Sequence, residues 1–187
     1  MPRKSREANI LELFFNEPTK QWHLQQIKKC VPIAANKISK WLKKFAREKL
    51  IQRVKIKGKM PYYVALHDSS RFTHAKLLFG LQKFHEAGFL EYLSSLEKAK
   101  VVILFGSFSR GDWYKESDID IFLYGIEDDA RLGLGKFYFK LHREIQVFSG
   151  ENPEDLRRLG SPLVKNIIKG ICLKGPIPQE VWKYALT

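Results

Sequence analysis

Asp118 and Asp120 stand one residue apart near the end of the stretch Val101-Val-Ile-Leu-Phe-Gly-Ser-Phe-Ser-Arg-Gly-Asp-Trp-Tyr-Lys-Glu-Ser-Asp-Ile-Asp-Ile-Phe-Leu123. On a strand, positions two apart share a face, so the spacing predicts two carboxylates side by side while Ile119 and Ile121 point into the core. Like charges that close raise each other's pKa unless a cation lies between them. Magnesium relieves the repulsion and prefers carboxylate, water and phosphate oxygens. The chemistry such a pair supports is metal-dependent phosphoryl transfer, with the carboxylates holding metal against a nucleoside triphosphate.

The surrounding residues supply the elements that must position the pair. Val101 to Phe105 is a continuous apolar run with β-branched residues, the pattern of a buried strand. Gly106 lets the backbone turn with no side chain in the way. Ser107 then offers a hydroxyl, and the chain is expected to enter a helix whose first backbone N–H groups attract phosphate. Arg110 and Gly111 extend this turn, and Arg110 either aids phosphate binding or pairs with a local acid. A further strand is expected over Arg143–Ser149, with Glu144 and Gln146 on one face and Ile145 and Val147 on the other. If that strand neighbours the Asp118 strand, Glu144 reaches the aspartates and completes a three-carboxylate cluster for two metals.

Gly106-Ser107 followed by Asp118-x-Asp120 resembles the signature of the nucleotidyltransferase superfamily typified by DNA polymerase beta. Gly-Ser-Phe-Ser-Arg-Gly and Ser-Asp-Ile-Asp-Ile look most like its small prokaryotic branch, the minimal nucleotidyltransferases, over residues 99–175. The resemblance implies a mixed sheet with helices packed on one side. It implies that Gly106, Ser107 and the turn backbone hold the triphosphate, with Arg110 a candidate beside them. It also implies that Asp118 and Asp120 bind two magnesium ions. The third acid binds one of them and accepts the hydroxyl proton; in many members it is an aspartate, and here the assignment falls to Glu144.

Charge divides the chain. Its net charge is +13, yet residues 1–66 hold 16 Lys and Arg against 4 acids while residues 67–187 hold 17 against 16. Such asymmetry points to a polyanion-binding module joined to a roughly neutral one. Two distant cysteines, Cys30 and Cys172, offer no zinc-type spacing. No apolar run approaches the ~20 residues that span a bilayer. Met1-Pro-Arg-Lys-Ser-Arg-Glu7 carries charge but no following signal-type apolar core, so a cytoplasmic location is expected.

The basic first third has a recognisable layout. A helix is expected over residues 6–15, ended by Pro18, then a short helix from about Trp22 to Lys29, broken at Val31-Pro32. The third helix carries Ile38, Leu42 and Phe45 on one face and Asn36, Lys37, Lys40, Lys43, Lys44 and Arg47 on another. Strands over Leu50–Ile56 and Tyr62–Leu66 flank the turn Lys57-Gly-Lys-Met-Pro61. Three helices and a two-stranded ribbon resemble a winged helix-turn-helix of archaeal and bacterial regulators. The resemblance implies that the third helix enters a DNA major groove while the hairpin tracks the backbone. Asn36, Lys37 and Lys40 would lie at the leading end of that helix, and Arg53, Lys55, Lys57 and Lys59 would line the wing. Most of these meet phosphates, and Asn36 alone has the chemistry for bidentate contact to adenine.

Between the two modules, Asp68 or Ser69 caps a helix to about residue 87 with a stripe of Leu77, Leu78, Leu81 and Phe84. Gly88 ends or bends it, and Phe89, Leu90, Leu93 and Leu96 begin another. These helices are expected to brace the domains, or one another across a homodimer. Helices follow from Asn152-Pro153 and Ser161-Pro162, then an edge strand near Leu173 and a short tail anchored by Trp182 and Tyr184. The expected architecture is therefore α+β: a winged-helix domain over residues 1–66, a helical linker over 67–98 and a mixed-sheet nucleotidyltransferase domain over 99–187. Its expected activity moves a nucleoside monophosphate from an NTP to an acceptor hydroxyl. ATP is the expected triphosphate, although no residue distinguishes it from other NTPs. The rivals are a DNA-binding regulator that senses nucleotide without turnover, and an antitoxin-type enzyme that modifies a protein acceptor.

Overall fold

The computed structural model describes residues 6–126 and 132–186, so most of the charged N-terminal heptad and the last residue of the expected third domain lie outside the described residues. The chain divides into two compact units. One holds the chain up to Lys76 together with Trp113–Lys115, and the other holds Leu77–Asp112 and the chain from Glu116 onward.

The first unit opens with α1 (Arg6–Asn16), which buries Ile10, Phe14 and Phe15. The expected second helix starts later than its apolar spacing suggests. Trp22 and His23 form a short strand, β1 (Trp22–His23), and the helix is α2 (Leu24–Cys30). His23 is extended, and the Gln26 side chain accepts a hydrogen bond from its backbone N–H at 2.8 Å, so the helix begins only after it. α3 (Ala35–Arg47) buries Ile38, Leu42 and Phe45, the apolar face expected from spacing four and three. Lys44 on α3 donates to Glu7 on α1 at 2.6 Å, tying these helices together. β2 (Ile51–Val54) and β3 (Tyr62–Ala65) then form a hairpin, pinned at its turn by Lys55 Nζ donating to the Lys59 carbonyl at 2.7 Å. The expected two-stranded ribbon is in fact three-stranded, in the order β1-β3-β2, because Trp22 pairs with Tyr63 and His23 with Tyr62.

α4 (Ser70–Glu86) contributes to both units. Of the two cap candidates Ser69 serves, its hydroxyl accepting from Phe72 N–H at 3.2 Å. In the first unit Phe15 packs edge-on against Phe72 and Trp113, with ring centroids 5.1 and 6.1 Å away. The same unit buries the cation of Lys76, 2% exposed, whose ammonium lies 4.7 Å from the Trp113 ring and 5.0 Å from the Tyr114 ring. Aromatic faces attract a desolvated ammonium, which lets a charged side chain occupy a core position.

The second unit continues from α4 through Gly88, left-handed at φ +72°, into α5 (Phe89–Ser94). Phe84 and Phe89 are buried, but Leu78, expected in the buried stripe, is 66% exposed. The chain then runs through β4 (Val101–Phe105), α6 (Gly106–Arg110), β5 (Ile119–Tyr124), α7 (Gly135–Leu141), β6 (Ile145–Gly150), α8 (Pro153–Leu159), α9 (Ser161–Ile167), β7 (Ile171–Lys174) and α10 (Gln179–Leu186). The sheet is mixed, in the order β6-β5-β4-β7, with β5 and β6 parallel and the other pairs antiparallel. Parallel neighbours need a crossover, which the segment carrying α7 provides. Val101, Ile103, Phe105, Phe122 and Tyr124 form one buried sheet face, packed with Leu156, Val164, Ile167, Val181 and Ala185 from the last three helices. The expected tail is therefore a helix, and it is anchored by Val181 and Ala185 rather than by Trp182, which is 43% exposed. Among the described residues no helix is long and apolar enough to cross a membrane.

Candidate active site

β4 is buried along its whole length and delivers the chain to Gly106. Phe105 lies opposite Asp120 in the antiparallel β4–β5 register, so the turn that follows β4 is brought against the acidic face of β5. Gly106 adopts φ +70°, where a side chain is strained. A Cβ there would overlap the Asp120 Oδ2 outright and lie 2.9 Å from Cγ. The glycine is thus required twice, by backbone conformation and by the carboxylate pressed against it. The Ser109 hydroxyl donates to the Gly106 carbonyl at 2.9 Å and closes the first turn of α6. The helix ends at once: Gly111 is left-handed, and the Ser107 carbonyl accepts from the N–H groups of Gly111 and of Asp112, the latter at 3.1 Å. Ser107 itself is only half-buried, and the first N–H groups of so short a helix have no intrahelical acceptor.

Ile119 and Ile121 are fully buried, as their alternation with the aspartates predicts, and Asp118 and Asp120 are partly exposed on the other face. Asp120 is held above the ordinary carboxylate value, first by burial, then by the neighbouring charge of Asp118, with the Arg110 cation pulling it back. Of the two alternatives the sequence leaves open for Arg110, the structure shows one. Its Nε donates to Asp112 at 2.9 Å, so it does pair with a local acid, while its charge still acts on Asp120. Its Nη1 also donates to the Asn166 side chain at 3.4 Å, a partner the sequence did not suggest.

The Asp118 strand and the Glu144 strand are neighbours. Their parallel register pairs Ile119 with Ile145 and Asp120 with Gln146, and the Ile119 N–H donates to the Glu144 carbonyl at 2.9 Å. The side chain that reaches the aspartates is Gln146, whose Nε2 donates to Asp118 Oδ2. Glu144 is exposed, and among the described residues no three His, Cys, Asp or Glu side chains gather closely enough to hold a metal ion. The structure thus brings together Gly106, Asp118, Asp120 and Gln146, with Ser107 and Arg110 on the adjoining turn, and does not bring Glu144 into the group. Gln146 was visible on the same strand face as Glu144, but only its side-chain hydrogen bond tells which of them meets the pair.

In the first unit, Asn36, Lys37 and Lys40 are exposed in the first turns of α3. Arg53, Lys55, Lys57 and Lys59 are exposed along the β2–β3 hairpin. Lys44 differs from them: its hydrogen bond to Glu7, with the attraction of that charge, raises its pKa, and it serves helix packing.

Residues 87–170 match the family model of the nucleotidyltransferase domain. Among solved structures, the chain is similar to a mutant of the toxin–antitoxin pair MntA-HpeT, at 21% identity over 57% of this chain and 77% of that one, with a TM-score of 0.36. It is also similar to a toxin–antitoxin structure with AMP-PNP, at 24% identity over 56% of this chain and 80% of that one, with a TM-score of 0.38. No curated protein matches the chain significantly.

Proposed function

We propose that the chain is a divalent-cation-dependent nucleotidyltransferase that moves a nucleoside monophosphate from an NTP to an acceptor hydroxyl and releases pyrophosphate. The observation that carries this reading is the fit between Gly106 and Asp120. A left-handed glycine turn, with no room for a side chain, is pressed against one of two neighbouring carboxylates, beside a half-buried serine. The donor set suits magnesium, because two carboxylates on one strand face offer hard oxygens and leave the remaining positions to water and phosphate. Asp118 and Asp120 are the residues that would hold such an ion, which when bound supplies charge stabilisation for an in-line displacement at phosphorus. Ser107 and the opening turn of α6 orient the phosphates, and Arg110 adds positive charge beside Asp120. ATP with magnesium is the expected donor pair.

The test is incubation with each radiolabelled NTP, magnesium and cell extract, followed by identification of what becomes labelled. Asp118→Asn and Asp120→Asn each abolish labelling while the chain remains folded by circular dichroism. Labelling retained in both variants overturns the assignment. Acceptors of protein, nucleic acid or small-molecule type separate in the same experiment.

We further propose that the first unit is a winged helix that binds double-stranded DNA, with α3 as the groove-reading helix and the β2–β3 hairpin on the backbone. Its support is the order of helices and strands and the seven exposed polar and basic side chains named above. Mobility-shift titration shows affinity falling steeply as salt rises if phosphate contacts dominate. No shift of any duplex at low salt refutes it. One observation favours a second reading, a regulator that senses nucleotide without turnover: among the described residues no third carboxylate gathers with Asp118 and Asp120, and an amide bonds Asp118. Nucleotide binding with no labelled acceptor selects that reading.

A further inference from the structure

Gln146 is the residue at the site whose type conflicts with two-metal chemistry. Two divalent ions about 4 Å apart are normally clamped by shared anionic ligands. Here the parallel register sets Asp120 beside Gln146, and by continuation Asp118 beside Glu144. Both strands therefore turn two polar side chains to the same face. Glu144 and Gln146 are both exposed, and among the described residues Glu144, the anionic one on β6's side, joins no group of three or more His, Cys, Asp or Glu side chains able to hold a metal ion. Gln146, the neutral one, meets the pair.

The orientation of the amide is fixed by chemistry. An ionised carboxylate only accepts hydrogen bonds, so the amide must turn its NH2 toward Asp118 and its carbonyl away. The Nε2–H bond to Asp118 Oδ2 uses one of that oxygen's lone-pair directions. Among the described residues it also leaves the site with two negative side chains rather than three. One hexacoordinate magnesium needs no more than one or two carboxylates, with waters and substrate phosphates completing its shell. A second dication at the same site would have to be held against the first with no third carboxylate gathered there among the described residues, and with one Asp118 oxygen already engaged.

We propose that Gln146 makes this a one-cation site: its amide holds Asp118 and takes the place that a third anion needs for a second divalent ion. The inference rests on the nucleotidyltransferase reading and deepens it. Position 146 sets the number of ions, and Glu144, two residues away on the same face, does not substitute for it.

Manganese binding to the full chain tests this directly, because free Mn2+ gives an electron paramagnetic resonance signal that bound Mn2+ loses. The titration is run with a saturating non-hydrolysable ATP analogue, whose own binding is followed by calorimetry. The wild-type chain is expected to take up about one ion, and Gln146→Asp about two. Two ions on the wild-type chain overturn the inference while leaving the nucleotidyltransferase reading intact. A single ion on Gln146→Asp, with an unchanged melting temperature, also overturns it. Absence of both ion and nucleotide on the wild-type chain sinks the underlying reading together with the inference. The wild-type stoichiometry decides the matter even if the variant fails to fold.

Discussion

Gly106→Ala separates backbone strain from loss of the site, because a matched control exists in the same unit. Gly106 and Gly88 have nearly the same backbone, at φ +70° and +72°. A Cβ at Gly88 meets nothing within 4 Å, whereas one at Gly106 overlaps Asp120 Oδ2 and lies 2.9 Å from its Cγ and 3.3 Å from its Cβ. Placing an L-residue in the left-handed region costs roughly 1–2 kcal/mol. For a chain of this size each kcal/mol lowers the melting temperature by about 2–4 °C. Gly88→Ala should therefore melt about 2–8 °C below wild type and keep its activity. Gly106→Ala incurs the same strain and must also move the Asp120 carboxylate. Since a displacement of about 1 Å can cost on the order of a hundredfold in rate, labelling from NTP should fall at least that far. The assay pairs thermal melting with labelling and with manganese binding on all three chains. Equal labelling by Gly106→Ala and Gly88→Ala would refute the claim that the glycine exists to admit the carboxylate.

Asp120→Asn should raise stability at neutral pH while removing activity. Burial holds the Asp120 pKa above its ordinary 3.8, so the folded chain binds that proton more tightly than the unfolded chain. That contribution is present at pH below the unfolded value and is lost as pH rises through the folded one. The variant should gain in melting temperature relative to wild type from acid to neutral pH and show no such advantage in strong acid. Tyr124 donates to Glu180 at 3.0 Å, and burial followed by that bond pushes its phenol up to about 12. Its stabilising effect should persist below its ordinary value of 10.0 and fade as pH rises toward 12, and Tyr124→Phe should lack that fade. The loss for the phenylalanine variant at neutral pH is about 0.5–1.5 kcal/mol, measured by denaturant unfolding. In mobility-shift titrations, Lys37→Ala, Lys40→Ala and Lys57→Ala should each lower the slope of log affinity against log salt by about one, uniformly across sequences. Asn36→Ala should leave the slope unchanged.

The parts of this chain that were legible in its sequence are those whose cause is local. The buried β4 run, the break at Gly106 and the alternation of Asp118, Ile119, Asp120 and Ile121 each follow from side-chain period and glycine conformation within a few residues. The face of α3 was legible for the same reason. What escaped depends on partners far along the chain. Trp22 is helix-compatible by pattern, and only its pairing with Tyr63, some 40 residues later, makes it a strand. Lys76 reads as a surface charge until Trp113 and Tyr114 bring their ring faces to it. Val181 and Ala185, small beside Trp182, anchor α10 because they fit the sheet face already built by Val101, Ile103 and Phe105. The site divides along the same line. Its aspartates were fixed by alternation, but the identity of their neighbour was not, because Glu144 and Gln146 are equivalent under a period of two. Register does not break that equivalence, since it sets Gln146 beside Asp120 and Glu144 beside Asp118; the hydrogen bond from Gln146 to Asp118 does. The charge state of the candidate site is therefore set by which β6 side chain turns to Asp118 as well as by the acidic motif, and a substitution at position 146 tests that contact as directly as it tests the chemistry.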